Sequence, residues 1–327
     1  MRKAFRVMLA AVLACAAAQA QDDVILDDGV FMDETGMDPI YSTPSGMPMD
    51  TEADGEKRPA LVPNDYYFEY LGPVHVHGQA AHVRLMNAFV TMPLLNPRKH
   101  AWHGWHLDAK ISGRMTWMHN SGNKVLNMQR LYTLGGSATL IRGIGRQSQF
   151  HIGFTPQLST DFDEMSHEIF YWGGNVGFSS AIGEKFKFTL GVSVMPDYND
   201  MWFYPLLNFQ WRLRPNWELQ LQAERLSYQF VSGSGQFRAG PFIQHNRSVW
   251  TVNRHGATRH LRMTNWIAGG TASYRWSVGS CRVSLLGDLG VTFYNNFRVR
   301  SKSGRHTRER YRTDGGLYAR VAAGVEF

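Results

Sequence analysis

Thirteen histidines in 327 residues raise the question of metal or acid–base chemistry. His75 and His77, in "VHVHG", are two apart and would share one face of a strand. His100, His103 and His106 lie in "HAWHGWH". A spacing of three puts His103 and His106 on opposite faces of a strand, which is poor geometry for one ion. No cysteine or carboxylate completes either set, so no metal site and no cofactor is expected. Asp161, Asp163, Glu164 and His167 cluster in "STDFDEMSHE". A carboxylate pair there could activate water. No nucleophile with an identifiable histidine partner accompanies it, so the cluster reads as a solvated loop and the chain as a non-enzyme. A hydrolase site at a barrel rim ranks third among the functions. The run 297–312, "FRVRSKSGRHTRERYR", holds seven basic residues, His306 and a single acid, Glu309. Nucleic acid is one partner for such a run. On a barrel it is instead an outward loop with flanking strand ends, suited to lipopolysaccharide or another surface polyanion. No nucleic acid is expected.

The elements that would carry these residues alternate with a two-residue period. From Trp105 one face reads Trp105, Leu107, Ala109, Ile111, Gly113, Met115, Trp117, and the other His106, Asp108, Lys110, Ser112, Arg114, Thr116. The same pattern runs from Phe186, Leu207, Trp217 and Cys281. Tight turns fall at 142–146, 182–185, 214–216 and 278–280, and longer polar loops at 119–127, 160–167, 196–201, 231–235 and 300–311. Short turns at one end and long loops at the other is the layout of a transmembrane barrel. The fold expected is all-β: an antiparallel up-and-down transmembrane barrel of about 12 strands, within 10–14. Segment 217–230 counts as one strand, 236–254 as two short ones, and 65–93 as an optional further pair.

The chain begins with a basic n-region, Arg2, Lys3 and Arg6, then a short apolar stretch and Ala18-Gln19-Ala20. Residues 1–20 read as a secretory signal peptide. A lipoprotein-like box ending at Cys15 is the rival, weakened by the bulk of Leu13. Cleavage after Ala20 would leave Cys281 alone, so no internal disulfide is expected. Residues 21–60 hold 11 acidic and 2 basic side chains, a net of −9, and residues 61–327 hold 29 basic and 16 acidic, a net of +13. The 21–60 stretch reads as a disordered or loosely docked periplasmic arm, and 61–327 as the barrel.

A soluble sandwich also alternates. Two features favour the inverted, lipid-facing arrangement. Trp266 and Trp276 share a face ten residues apart, roughly 26 Å of height in a tilted strand, which matches an apolar band about 25 Å tall between aromatic girdles. Small residues such as Gly174, Gly270, Ala272, Gly287, Ala319 and Ala323 dot the apolar faces, where a soluble core wants bulk. The expected location is the bacterial outer membrane, with its lipid and lipopolysaccharide as partners. The end of the chain, "YARVAAGVEF", is itself a strand. It resembles the C-terminal assembly signal that barrel assembly machinery reads, with Arg320, Ala322, Val325 and Phe327 in the matching places. Ala322 stands where glycine is usual.

The segment "FYPLLNFQWRLRPNWELQLQAERLSYQF" resembles the central hairpin of a family of uncharacterised outer-membrane β-barrel proteins that carry a domain of unknown function. Pro205, Asn208, Trp211, Arg214-Pro215-Asn216, Trp217, Leu219 and Tyr228 carry the resemblance. It implies fold and location, and no catalytic residues. The first function expected is a small porin-like channel for passive solute passage. Lys110, Arg114, Lys187, Arg212, Arg275 and Arg282 would line its lumen and favour anions. The alternative is a non-conducting structural or surface-binding barrel.

Overall fold

The computed structural model describes residues 63–95, 101–102, 105–122, 130–144, 147–162, 169–183, 185–197, 200–222, 224–254, 257–279, 281–301 and 308–326. The expected signal peptide, the acidic arm and Phe327 lie outside them, as do His100, His103, Asp163, Glu164 and His167. The strands are β1 (Pro63–His75), β2 (His82–Leu95), β3 (Ala101–Trp102), β4 (Trp105–Ser121), β5 (Arg130–Gly143), β6 (Ser148–Thr160), β7 (Phe170–Ile182) and β8 (Phe186–Asp197). Then follow β9 (Asp200–Arg214), β10 (Trp217–Gln222), β11 (Arg225–Val231), β12 (Phe237–Arg254), β13 (Ala257–Val278), β14 (Cys281–Ser301), β15 (Arg308–Thr313) and β16 (Gly316–Glu326).

Among the described residues, 14 strands close into an antiparallel ring. β3 pairs only with β4, and β15 flanks β14 beyond the reach of β16. The last strand closes the ring. Arg320 of β16 stands opposite Glu69 of β1 on one side and Asp288 of β14 on the other. The strand ending the chain therefore satisfies the backbone groups of the first, and no edge is left along β1.

The wall is inverted relative to a soluble protein. Phe68, Ile111, Leu134, Ile152, Phe154, Trp172, Leu190, Leu207, Leu289 and Val321 are exposed on successive strands around the outside. Their immediate neighbours in sequence, among them Glu69, Thr133, His151, Asp288 and Arg320, are buried. An exposed apolar surface on strand after strand is what a lipid solvent tolerates and water does not.

Two segments differ from the sequence reading. Residues 217–230 are not one strand but a tight hairpin, with Gln222 opposite Arg225. Residues 237–254 are one strand rather than two. The loop at 231–235 therefore lies at the short-turn end, beside the 214–216 turn, and not among the long loops. The reason for the first is a change of parity. Trp217, Leu219 and Leu221 share one face, whereas Leu226, Tyr228 and Phe230 take the even positions. Pairing Gln222 with Arg225 sets Leu221 opposite Leu226 and Leu219 opposite Tyr228, which keeps both sets on one face.

The hairpin makes the wall uneven. β10 has 6 residues and β11 has 7, against 22 in β13 and 21 in β14. At about 3.4 Å per residue and a tilt near 40°, β10 rises roughly 16 Å and β13 roughly 57 Å. Above the hairpin, β9 and β12 flank a gap. Arg247 of β12 crosses it to hydrogen-bond the hydroxyl of Tyr204 on β9, and at its foot His245 pairs with Glu224. Open strand edges at membrane depth are tolerated only where polar groups or protein line them.

Past that level β12 leans over the lumen. Thr251 forms a parallel bridge with Thr160 of β6. The Ser159 hydroxyl donates to the Val249 carbonyl at 2.7 Å, and the Tyr171 hydroxyl meets Thr251 Oγ1 at 2.5 Å. Trp250, Val252, Leu261, Met263, Phe297 and Val299 then pack with Val76, Val83, Met118 and Leu131 in one apolar cluster inside the long-loop half. Glycine stands where neighbouring strands crowd. A Cβ on Gly290 would lie 2.3 Å from the Ala268 carbonyl, and one on Gly240 would lie 2.0 Å from the Tyr228 carbonyl.

Candidate functional site

Beneath the apolar cluster the barrel interior is crossed by charged side chains. Arg225 of β11 reaches Asp288 of β14 with two N–H donors, at 2.8 and 3.0 Å. β12 and β13 separate those strands in the ring, so the pair spans a chord of the barrel. Arg320 approaches the same carboxylate at 2.7 Å from β16. The guanidinium of Arg225 lies over the ring of Phe242, 3.9 Å from its centroid. Beside Arg320, the Tyr318 hydroxyl donates to Glu69 Oε2 at 3.4 Å and Asn87 donates to Glu69 Oε1 at 2.9 Å. Thr116 in turn donates to Asn87 at 2.6 Å. Arg225, Asp288, Arg320, Glu69, Tyr318, Asn87 and Thr116 are all buried. Burying such charges is tolerable only when each finds partners, and the shared carboxylate supplies them.

A second polar cluster stands next to the first. Arg114 of β4 donates to the Tyr67 hydroxyl at 2.5 Å and to Ser248 Oγ at 3.4 Å, tying β4 to β1 and to the leaning β12. Tyr67 stacks on Phe89 beneath it, with centroids 4.7 Å apart. Nearer the short-turn end, Arg238 pairs with Glu218 at 3.0 Å, and Lys110 lies 3.4 Å from Asp108. The ladders place each of these residues where the strand's alternate positions turn in, since their neighbours are the exposed apolar ones.

The six basic residues expected in the lumen stand on the faces opposite the exposed apolar residues. Lys110 and Arg114 alternate with Ile111 on β4, and Lys187 shares the face of buried Thr189 on β8. Arg212 shares the face of buried Leu206 on β9. Arg275 and Arg282 face each other's strands near the Val278–Cys281 pair that ends the ladder, on the faces of Thr271 and Ser284. The structure does not bring the six together as one cluster; they are spread from mid-height to the short-turn end. Arg320, read from sequence as part of an assembly signal, is the residue at the centre of the charged crossing. Ala322 and Val325 continue its strand, with Ala322 opposite Tyr67 and Val325 opposite Val283. Sequence reasoning missed Arg225, Asp288, Glu69, Glu218 and Arg238 as partners. The usable signal was a lone acid on the polar face of an otherwise apolar strand, as at Asp288, because a buried carboxylate demands a cation.

At the rim, His75 and His77 flank one carboxylate: His77 Nε2 lies 2.6 Å and His75 Nδ1 3.7 Å from Asp314. Asp161 is buried and accepts from Thr160 at 3.4 Å. Among the described residues no group of three histidines, cysteines or carboxylates is arranged to hold a metal.

The chain belongs to the family defined by the domain of unknown function DUF6268, whose model matches residues 75–323. No curated protein matches it in sequence. Solved structures similar to it include the KdgM porin, at 8% identity, covering 81% of this chain and 99% of that one with a TM-score of 0.31. A deletion mutant of the TodX monoaromatic hydrocarbon channel matches at 8% identity over 82% of this chain and 89% of that one, TM-score 0.38. OccK2 of Pseudomonas aeruginosa matches at 8% identity over 82% and 98%, TM-score 0.32.

Proposed function

We propose that this member of the DUF6268 family spans the bacterial outer membrane and passes small solutes along an interior path that its own side chains hold shut. The observation that carries the reading is the inversion of the barrel: exposed apolar residues around the outside, and buried Arg114, Arg225, Asp288, Arg320 and Glu69 within. A barrel serving only as a wall would gain stability from an apolar filling, because buried ion pairs are rarely more stable than packed hydrocarbon. Charged groups that can swing to water when the path opens account for keeping them. The inner-face basic residues Lys187, Arg212, Arg275 and Arg282 favour anions on that path. A second reading, a non-conducting structural barrel, is favoured by the apolar cluster around Trp250, which fills the long-loop half.

Planar-bilayer recording separates the two. The wild-type protein is expected to show small, infrequent openings. The double variant Arg225→Ala/Asp288→Ala, which removes the chord across the lumen, is expected to open more often and to higher conductance. If neither protein conducts in a folded, heat-modifiable state, the channel reading fails and the structural barrel takes its place.

A further inference from the structure

The wall of β13, β14 and β15 carries another charged feature, on the outside and beyond the aromatic girdle. Trp266 stands opposite Tyr294, and its ring lies 6.3 Å from that of Phe293. Trp266 and Phe293 are both exposed. Four positions further along β13, Arg262 stands directly opposite Arg298, and Arg298 directly opposite Arg310. In the adjoining rows Arg300 stands opposite Arg308, and Arg312 opposite Asn296. The two-residue period puts Arg262, Arg298, Arg300, Arg310 and Arg312 on one face, opposite to buried Phe297 and Val299. Arg298, Arg310 and Arg312 are exposed. The single acid in these stretches, Glu309, takes the other face, where it accepts from the Tyr311 hydroxyl.

Like charges directly opposite one another weaken a sheet. Three arginines in one cross-strand row gather positive charge at one place on the wall, which is the charge distribution an anion would meet there. Guanidinium groups suit phosphate in particular, since paired N–H donors match two of its oxygens. Arg310 is already fixed at the girdle: its Nε donates to Asn296 Oδ1 at 3.1 Å, and a terminal nitrogen donates to the Tyr294 hydroxyl at 2.9 Å. The row lies roughly 10 Å above Trp266, given about 3.4 Å per residue and a tilt near 40°. That is the arrangement of an amphiphile's parts: apolar and aromatic surface below for acyl chains, and cations above for phosphate.

We propose that the outer face of β13–β14–β15, with Arg262, Arg298 and Arg310 at its centre, binds the phosphate groups of the lipopolysaccharide that forms the outer leaflet. The assignment rests on the outer-membrane reading, and it deepens the partner of that reading to a site. Because these residues lie outside the lumen, the site is separate from the conducting path.

The test uses the full-length protein in detergent and three probes: diphosphoryl lipid A, monophosphoryl lipid A, and phosphatidylglycerol vesicles. Wild-type protein should bind diphosphoryl lipid A most tightly, and binding should weaken with salt. The triple variant Arg262→Gln/Arg298→Gln/Arg310→Gln should bind it about tenfold or more weakly, as expected for losing several charge-assisted hydrogen bonds. Its heat-modifiable mobility should match wild type, because Arg298 and Arg310 are exposed, Arg262 is half-buried, and the backbone ladder that closes the ring is untouched. If the triple variant folds poorly, Arg298→Gln alone should still weaken binding severalfold. Unchanged lipid A affinity in a folded variant overturns the proposal. Equal wild-type binding to phosphatidylglycerol overturns the glycolipid assignment. Fractionation of the cells tests location separately: a variant that stays in the outer membrane but loses lipid A affinity supports the site, and wild-type protein found in the soluble fraction sinks the membrane reading itself.

Discussion

Asp288 is the residue on which most of the interior depends. It accepts from Arg225 and faces Arg320 at 2.7 Å, and its side chain has no exposed surface. Replacing it with alanine leaves two guanidinium groups near one another without their shared carboxylate. Breaking a buried pair from one side costs about 3–5 kcal/mol. The expected outcome is a lower urea midpoint for the folded barrel in lipid vesicles, read as loss of heat-modifiable mobility. The double variant Arg225→Ala/Asp288→Ala should lose less than the sum of its two singles, since removing both partners leaves fewer charges unmatched. Strict additivity would mean that the two side chains do not meet across the lumen.

At the scale of strands, the close approach of β13 and β14 depends on missing side chains. Gly290 faces Gly269 across the ladder, and a Cβ on either would lie 2.3 Å from a backbone carbonyl. Gly270, next along β13, has open space on the exterior. Gly290→Val should lower the folded yield, with overpacking costing about 1–3 kcal/mol, while Gly270→Val should fold as wild type does. Comparable yields for both would argue against the crowded approach. Most of the strands are legible in the sequence, because a lipid-facing wall forces strict alternation and each break in it marks a turn. The 217–230 hairpin escaped because the sequence between Gln222 and Arg225 holds neither glycine nor proline; only the shift of apolar residues from odd to even positions betrays it. Within strand 237–254, Gly240-Pro241 has the composition of a turn, yet Pro241 sits on an exposed position within a continuous strand. The expectation of basic residues on the inner faces came from the same alternation. Their partners did not, because Arg225 and Asp288 are 63 positions apart and meet only once the ring is closed.

Taken as one body, the molecule has two unlike ends. The long-loop end holds the leaning β12 and the apolar cluster packed around it. At the short-turn end Pro63, the first residue of β1, stands opposite Glu326 of β16, so the 21–60 segment joins the chain at that mouth. Lys187, Arg212, Arg275 and Arg282 lie on inner faces close to the strand ends there. The segment carries a net −9 against +13 for residues 61–327. Opposite charges attract more strongly at an enclosed, low-dielectric mouth than on an open surface. The expected consequence is that the acidic segment docks transiently at this mouth and damps anion passage. Deleting residues 21–60 should raise both conductance and anion selectivity. High salt should reproduce the effect in the full-length protein, because screening at molar ionic strength shortens the reach of such attraction to about 3 Å. Substituting Arg275 and Arg282 with glutamine should weaken the difference between full-length and truncated proteins, since the docking partners are then gone. If full-length and truncated proteins conduct identically at low salt, the acidic segment does not act on the lumen, and its charge serves as a solvated tether below the barrel.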